Sequence, residues 1–275
     1  MSLLRPLALA TSARYFSTAT RRSNNVLRPR NLKPFLYAGA GLLGGSFLFS
    51  STIHLDAEPQ EKDTQVAAVD QDTIKDPATD IEFPTTLRVT TKVKTPLLSL
   101  VGVGVRTVSF LGLKVYSVAF YADLNNPELK ITDSMTPDEK IERIVRTCAC
   151  VVRIVPTRNT SFTHLRDAFV RATGERMVLG RKKGTLSEEE AVEVGLPLRK
   201  LKTLFPNSPL KKHTPLDIFL APPVPGRQRV LIFRDLGGIE SDWLAPEFIL
   251  HYFENNGVSP SLKQTVVARL KDFVK

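Results

Sequence analysis

Apolar patterning in this chain becomes sustained only at Phe83 and then runs to Lys275 without a second low-complexity break. A stretch of that size can bury its own core, so one domain over residues 83–275 is the economical expectation. Within it the period of the pattern alternates between strand and helix. TLRVTTKVK, residues 86–94, reads as a half-exposed strand over 87–94. Residues 97–105 with 107–111 read as a strand interrupted at Gly102 and Gly104, and 114–122 as an aromatic-rich strand. A short helix is expected over 137–142, then a β-branched run over 143–155. Thr160 or Ser161 can cap a helix whose Phe162, Leu165, Phe169 and Val170 share one apolar face. Thr185 or Ser187, followed by three glutamates, opens a second helix with acids at the positive end of its dipole. Residues 216–220 and 229–234 form a hairpin around PPVPGR, and helices over 242–254 and 260–274 close the chain. Strands first, with helices between and after them, predict an α+β domain: an antiparallel sheet with helices packed on one side.

The formal charge of +10 invites a nucleic-acid reading, which the position of the charges removes. The first 55 residues hold Arg5, Arg14, Arg21, Arg22, Arg28, Arg30 and Lys33 and no acid, leaving 31 basic against 28 acidic residues downstream. No recognisable nucleic-acid motif accompanies that near-neutral remainder. Residues 1–33, rich in Arg, Ser, Thr and Ala, have the composition of a mitochondrial transit peptide. Residues 34–55 contain nineteen uncharged positions from Phe35 to Ile53, close to the roughly 20 a helix needs to span a bilayer. They are expected to form a single transmembrane anchor in the mitochondrial inner membrane. Basic residues before it and Asp56, Glu58, Glu61 and Asp63 after it predict a soluble part facing the intermembrane space. Residues 56–82, with nine acids and two lysines, read as an acidic disordered linker. Cys148 and Cys150 stand two apart in a strand-like run, where their side chains diverge from bridging geometry and read as core residues. No Cys/His cluster supports a structural zinc site.

LVGVGVRTVSFLGLKVYSVAFYADL at 100–124 resembles the arginine-bearing hairpin of the chalcone isomerase and chalcone-isomerase-like family. NNGVSPSLKQTVVARL at 255–270 is similar to that family's C-terminal helix and the turn before it. IVPTRNTSFTHLRDAF at 154–169 is similar to its strand, loop and helix that carry a catalytic tyrosine. With the leader and anchor, the resemblance is to the fungal mitochondrial members, named for altered inheritance of mitochondria. It implies an open-faced β-sandwich, a large antiparallel sheet covered by helices with a ligand cleft between.

In true isomerases an arginine of this hairpin steers a phenolate, a task that suits a guanidinium because it stays charged and offers a planar fork of donors. Arg106 matches that position, and Tyr116 stands near the place of a hydroxyl-bearing threonine. Where the resemblance would bring a catalytic tyrosine and an asparagine, the chain has Phe162 and Phe169. A phenyl ring neither donates a proton nor holds a water. The expected site is therefore a non-catalytic pocket formed by Arg106, Tyr116, Phe162, Phe169 and Tyr121, with Arg106 and Tyr116 as vestiges of catalysis. Tyr116 and Tyr121 lie five apart on a strand, so at most one should line it.

An apolar pocket with one cation suits an amphipathic carboxylate. Fatty acids and haem both qualify, and the resemblance puts haem first because the fungal members are associated with it, whereas plant relatives bind fatty acids. Haem would want an axial ligand. Of His54, His164, His213 and His251, the first and last read as surface or core residues. His164 is about 200° round the helix from Phe162, and His213 lies in the basic loop KKHTP. His213, His164 and Tyr116 remain the weak ligand candidates. A residual intramolecular lyase using Arg106 and Tyr116, a fatty-acid-binding protein, and an interaction module without a small ligand are the competing expectations.

Overall fold

The computed structural model describes residues 72–90, 95–108, 111–255 and 257–275. The expected transit peptide (1–33), the anchor (34–55), His54 and residues 56–71 of the linker lie outside them. No helix among the described residues is long and apolar enough to cross a membrane.

In chain order the described residues form β1 (Thr73–Lys75), β2 (Glu82–Pro84), β3 (Thr86–Leu87), β4 (Leu98–Val108), β5 (Leu113–Ala122), α1 (Pro137–Thr147), β6 (Cys150–Pro156) and β7 (Thr160–Ser161). They continue through α2 (Phe162–Lys183), α3 (Glu188–Leu204), β8 (Pro209–Leu210), β9 (Leu216–Leu220), β10 (Val230–Phe233), β11 (Gly237–Glu240), α4 (Leu244–Leu250) and α5 (Pro260–Leu270). Seven strands make one antiparallel sheet in the order β11-β10-β9-β6-β5-β4-β3. All five helices contribute buried residues to the larger core or pack against it, and β5, β6 and β9 send Val118, Phe120, Val152, Ile154 and Ile218 into that core. Alternate residues Ala119, Tyr121, Val151 and Phe219 enter a second cluster on the opposite face, under Phe83 and Leu87. Period-2 alternation thus assigns each strand residue to one of two cores.

Helix starts follow local chemistry. Thr136 and Glu139, and again Ser187 and Glu190, form reciprocal capping boxes at α1 and α3, and Ser161 caps α2 by accepting from the His164 backbone N–H. The run expected as strand over 143–155 divides. Ile141, Ile144, Val145 and Cys148 recur at helical spacing and are all buried in the larger core, so α1 extends to Thr147 and the strand starts at Cys150. Burial of a periodic face outweighs the β-propensity of its residues. The last helices are shorter than expected, ending at Leu250 and Leu270. Beyond α5 the buried Lys140 ammonium donates to the carbonyls of Leu270, Lys271 and Phe273 at 3.0, 2.9 and 2.9 Å, taking up the orphan acceptors of the helix end.

Three further expectations are corrected. β4 runs on through Gly102 and Gly104, with its register on β5 shifted between Leu100 and Gly102, and the two glycines let α5 lie on it. A Cβ on Gly104 would come within 2.2 Å of the Leu262 backbone nitrogen, and one on Gly102 within 2.6 Å of Val266 Cγ2. Beyond its short pairing with β3, one edge of β4 meets α5 side chains: Val103 N–H donates to Thr265 Oγ1 at 3.1 Å and Val105 N–H to Ser261 Oγ at 3.0 Å. Helix hydroxyls thus satisfy strand groups that a neighbouring strand would otherwise take. Nor are residues 72–82 a disordered linker. β1 pairs with β2, and Asp76, 1% exposed, accepts from Ser117 Oγ at 2.6 Å, Thr79 Oγ1 at 2.9 Å and the Ala78 N–H at 3.0 Å. Acid content argues against burial only where the acid finds no donors. Of the strand expected over 87–94, Leu87 lies in β3 and 88–90 lie outside any strand, while 91–94 are beyond the described residues.

Candidate functional site

Gly102, Gly104 and Arg106 succeed one another on the helix side of β4. The glycines lie under α5, and Arg106 is the next residue on that side, beyond the helix start at Pro260. A register shift between Arg106 and Thr107 bends the strand at this point, as bulges beside sites commonly do. Arg106 lies opposite Tyr116 on β5. Its guanidinium sits 5.7 Å from that ring's centroid and donates from Nη1 to the phenol oxygen at 3.2 Å. Burial opposes the arginine's charge, but the interactions with Tyr116 outweigh it and the guanidinium stays protonated. The Tyr252 phenol nearby is pushed well above its ordinary range, by burial first and then by the proximity of Tyr116.

Two adjoining cavities open around Arg106, and they differ in chemistry. One, of about 640 Å³, is charged, with Arg106, Arg171, Arg176, Glu175, Glu254 and His251 in its wall. The other, of about 570 Å³, is mainly apolar, bounded by Val108, Val115, Tyr116, Leu165 and Phe169, with Arg158 and His164 also lining it. Arg106 and Ala168 belong to both walls. The helix α2 supplies one side of each, because Leu165, Ala168, Ala172 and Arg176 recur at helical spacing along it. In the charged cavity Arg176 is held by Glu247 and Glu254. Among the described residues no carboxylate pairs with Arg106. A half-buried cation between a charged and an apolar hollow can hold an anionic head while an apolar tail lies on the other side.

The expected site residues separate in space. Arg106, Tyr116 and Phe169 come together. Phe169 also belongs to an aromatic cluster, 5.8 Å from the Phe205 ring, 6.1 Å from Phe233 and 5.1 Å from Phe248. Phe162 does not line either cavity; it packs on Phe205 at 6.5 Å. Tyr121 is on the opposite face of the sheet, fully buried, with its hydroxyl donating to the Pro84 carbonyl at 3.0 Å. Five residues of regular strand separate it from Tyr116, and the odd count decides the face. His213 does not fold over the cleft: it lines a different cavity with Arg153, Glu82 and Asp80, and its backbone N–H donates to Pro156. His164, expected to face away, is exposed at the rim of the apolar cavity.

His251 is not among the site residues expected from the sequence. The turn after α4 carries it into the charged cavity, and its pKa falls to about 4 through burial first, then the nearby charges of Arg176 and Arg106. It is a neutral imidazole at physiological pH. The small residues Ala168 and Ala172, three and seven positions after Leu165 on the α2 face, were the available sign of open space there. No group of three or more His, Cys, Asp or Glu residues suited to a metal ion occurs among the described residues.

The chain matches the family described as chalcone isomerase like over residues 97–141 and 125–267. An uncharacterized protein of Schizosaccharomyces pombe is 37% identical over 98 residues, covering 29% of this chain and 38% of that protein. The altered inheritance of mitochondria protein 18, mitochondrial, of Saccharomyces cerevisiae is 24% identical over 176 residues, 52% of this chain and 55% of its own length. The chain therefore spans about half the length, or less, of these relatives. Among solved structures, an Arabidopsis thaliana fatty-acid binding protein superposes with a TM-score of 0.54 at 16% identity, covering 73% of this chain and 98% of that one. At that identity the likeness is one of fold.

Proposed function

Because this chain belongs to the chalcone isomerase like family, we propose that its cleft is a non-catalytic site for an amphipathic carboxylate, with a fatty acid as the first ligand class. The observation that carries this reading is the position of Arg106, a guanidinium without a carboxylate partner among the described residues, between a charged and an apolar hollow. The Arabidopsis neighbour is by name a fatty-acid binding protein, which fits the same ligand chemistry. Intramolecular lyase activity is disfavoured by the apolar wall. Phe169 presents a ring where a water-holding side chain would be wanted, and the Tyr116 oxygen is engaged by Arg106. The Saccharomyces relative is by name mitochondrial, which supports a mitochondrial location here, and attachment to the inner membrane through residues 34–55, with the domain in the intermembrane space, belongs to the same proposal.

Haem is the second reading, favoured by His251. A neutral imidazole in the cavity that Arg106 also lines supplies the two things haem needs from a protein, an axial nitrogen and a cation for a propionate. His251 fits that role better than His164 at the rim, Tyr116 with its oxygen engaged, or His213 in another cavity. When bound, the iron would supply redox or gas-binding chemistry; the chain itself holds and orients the group.

The test is a titration of the full chain with a fluorescent fatty acid and, separately, with hemin. Charge-assisted hydrogen bonds are worth about 1.5–3 kcal/mol, so Arg106→Ala should weaken fatty-acid binding by roughly 10- to 100-fold. An unchanged affinity rules out the anchor role. A Soret shift present in the native chain and lost in His251→Ala would move haem ahead of fatty acid, and no Soret shift removes haem.

A further inference from the structure

The β4–β5 turn carries Val108, Leu111 and Leu113 at 39%, 72% and 45% exposure, three large apolar side chains within six residues. Scattered exposed aliphatics are ordinary on a soluble domain, whereas a cluster on one turn marks a contact surface. The charges around it choose the contact. Three segments are stitched together at this end of the domain: Thr157 N–H donates to the Val115 carbonyl, Phe162 N–H to Ser208, His213 N–H to Pro156, and Lys212 N–H to Asn159 Oδ1. Residues 111–122, 156–165 and 205–216 contain no Asp or Glu, and the acids Asp80 and Glu82 lie in a separate cavity with His213. The three segments bring Lys114, Arg158, Lys211 and Lys212, none of which forms an ion pair among the described residues. Lys114 also donates to the Ala78 carbonyl. Elsewhere, exposed Val192 on α3 stands among Glu188, Glu189 and Glu193, so apolar exposure and positive charge do not coincide at that position.

We propose that the β4–β5 turn is a docking tip for an anionic lipid bilayer, its aliphatic side chains entering the interface while Lys114, Arg158, Lys211 and Lys212 meet lipid headgroups. Apolar burial and attraction to anionic headgroups add in interfacial binding, and each needs the geometry the other supplies. Val108 and Val115 also line the apolar cavity beside Arg106, so a docked turn places that cavity at the bilayer surface. Only this last step, passage of an amphiphile between cavity and membrane, rests on the ligand reading above; docking does not.

The test uses the full chain with Leu113→Cys labelled by a polarity-sensitive dye; Cys148 and Cys150 are buried and leave the new thiol as the reactive one. A second chain carries the dye at Val192→Cys on α3. Phosphatidylcholine vesicles containing phosphatidylserine should shift the emission at 113 to the blue and leave 192 unchanged, whereas vesicles of phosphatidylcholine alone should give little shift. Each basic residue near an anionic surface contributes several-fold, so Lys211→Gln with Lys212→Gln should raise the lipid concentration at half-maximal shift on the order of tenfold. No shift at 113, an equal shift at 192, or a shift at 113 that needs an acidic protein and not lipid overturns the proposal. Reading the dye at two positions separates tip contact from attachment elsewhere. The blue shift can survive a failed fatty-acid titration, so the two proposals fail independently.

Discussion

The two faces of the central sheet use arginine in opposite ways. On the face away from the helices, Arg153 grips Asp217 with both ends of its fork, Nε to Oδ1 at 2.6 Å and Nη2 to Oδ2 at 2.9 Å, and Arg234 adds a third contact at 3.0 Å. On the helix face Arg106 has a phenol for a partner and cavities on two sides. A bidentate pair with its carboxylate 2% exposed holds structure, because either charge left alone would be buried without compensation. A cation beside a neutral hydroxyl keeps its capacity to receive an anion. The difference separates an arginine committed to folding from one left available for binding, though both belong to the same sheet.

The largest effect that would test this contrast is the loss of Asp217. Asp217→Ala leaves Arg153 and Arg234 without their anion and is expected to lower stability by about 3–5 kcal/mol, read from the urea midpoint at constant slope. A loss below about 1 kcal/mol would place that ion pair among weak surface contacts and erase the contrast.

Next in size is a pH effect on the cleft side. His251 titrates near 6.5 when unfolded and at about 4 when folded, so between those values the unfolded chain holds a proton that the folded chain does not. Its contribution is therefore complete above pH 6.5 and is lost as the pH falls toward 4, on the order of 3 kcal/mol in all. His251→Gln should flatten that part of the stability profile. Arg106→Ala should raise the imidazole's folded pKa, measurable by NMR titration, since Arg106 is one of the charges depressing it. An imidazole that titrates at its ordinary value in the native chain would mean that it is not held in the cleft as described.

The smallest expected effect sharpens the comparison most. Arg106→Ala should change the unfolding free energy by less than about 1 kcal/mol, because its partner is a neutral phenol and no buried carboxylate is orphaned. A cost equal to that of Asp217→Ala would make Arg106 a structural residue and remove the reason for assigning it a ligand.

Much of the scaffold was legible from local chemistry. Ser161 and Ser187 start helices through bonds that reach no further than three residues, and such bonds are visible in a linear chain. The β4–β5 hairpin was likewise readable, since neighbouring strands joined by a short turn pair with one another, whereas the register that sets Arg106 opposite Tyr116 was not. Helix extent was harder. Ile144 and Val145 suit strand or helix until one knows that Ile141 and Cys148 share their buried face.

Membership of the pocket was the least legible part. Phe162 and Phe169 belong to one helix face by spacing, yet the Phe205 ring takes the first away from the cleft while the second remains at its wall. His251 reached the cleft through the turn that follows α4, and Tyr121 left it because strand geometry set it on the other face. Order, caps and strand alternation were determined by the sequence itself, since the forces behind them act between residues close along the chain. Which side chains face a common hollow, which arginine keeps a carboxylate, and which acid at residue 76 is buried were decided only by tertiary structure, where residues 41 positions apart meet as Asp76 and Ser117 do. Those outcomes depend on distances that no local pattern encodes.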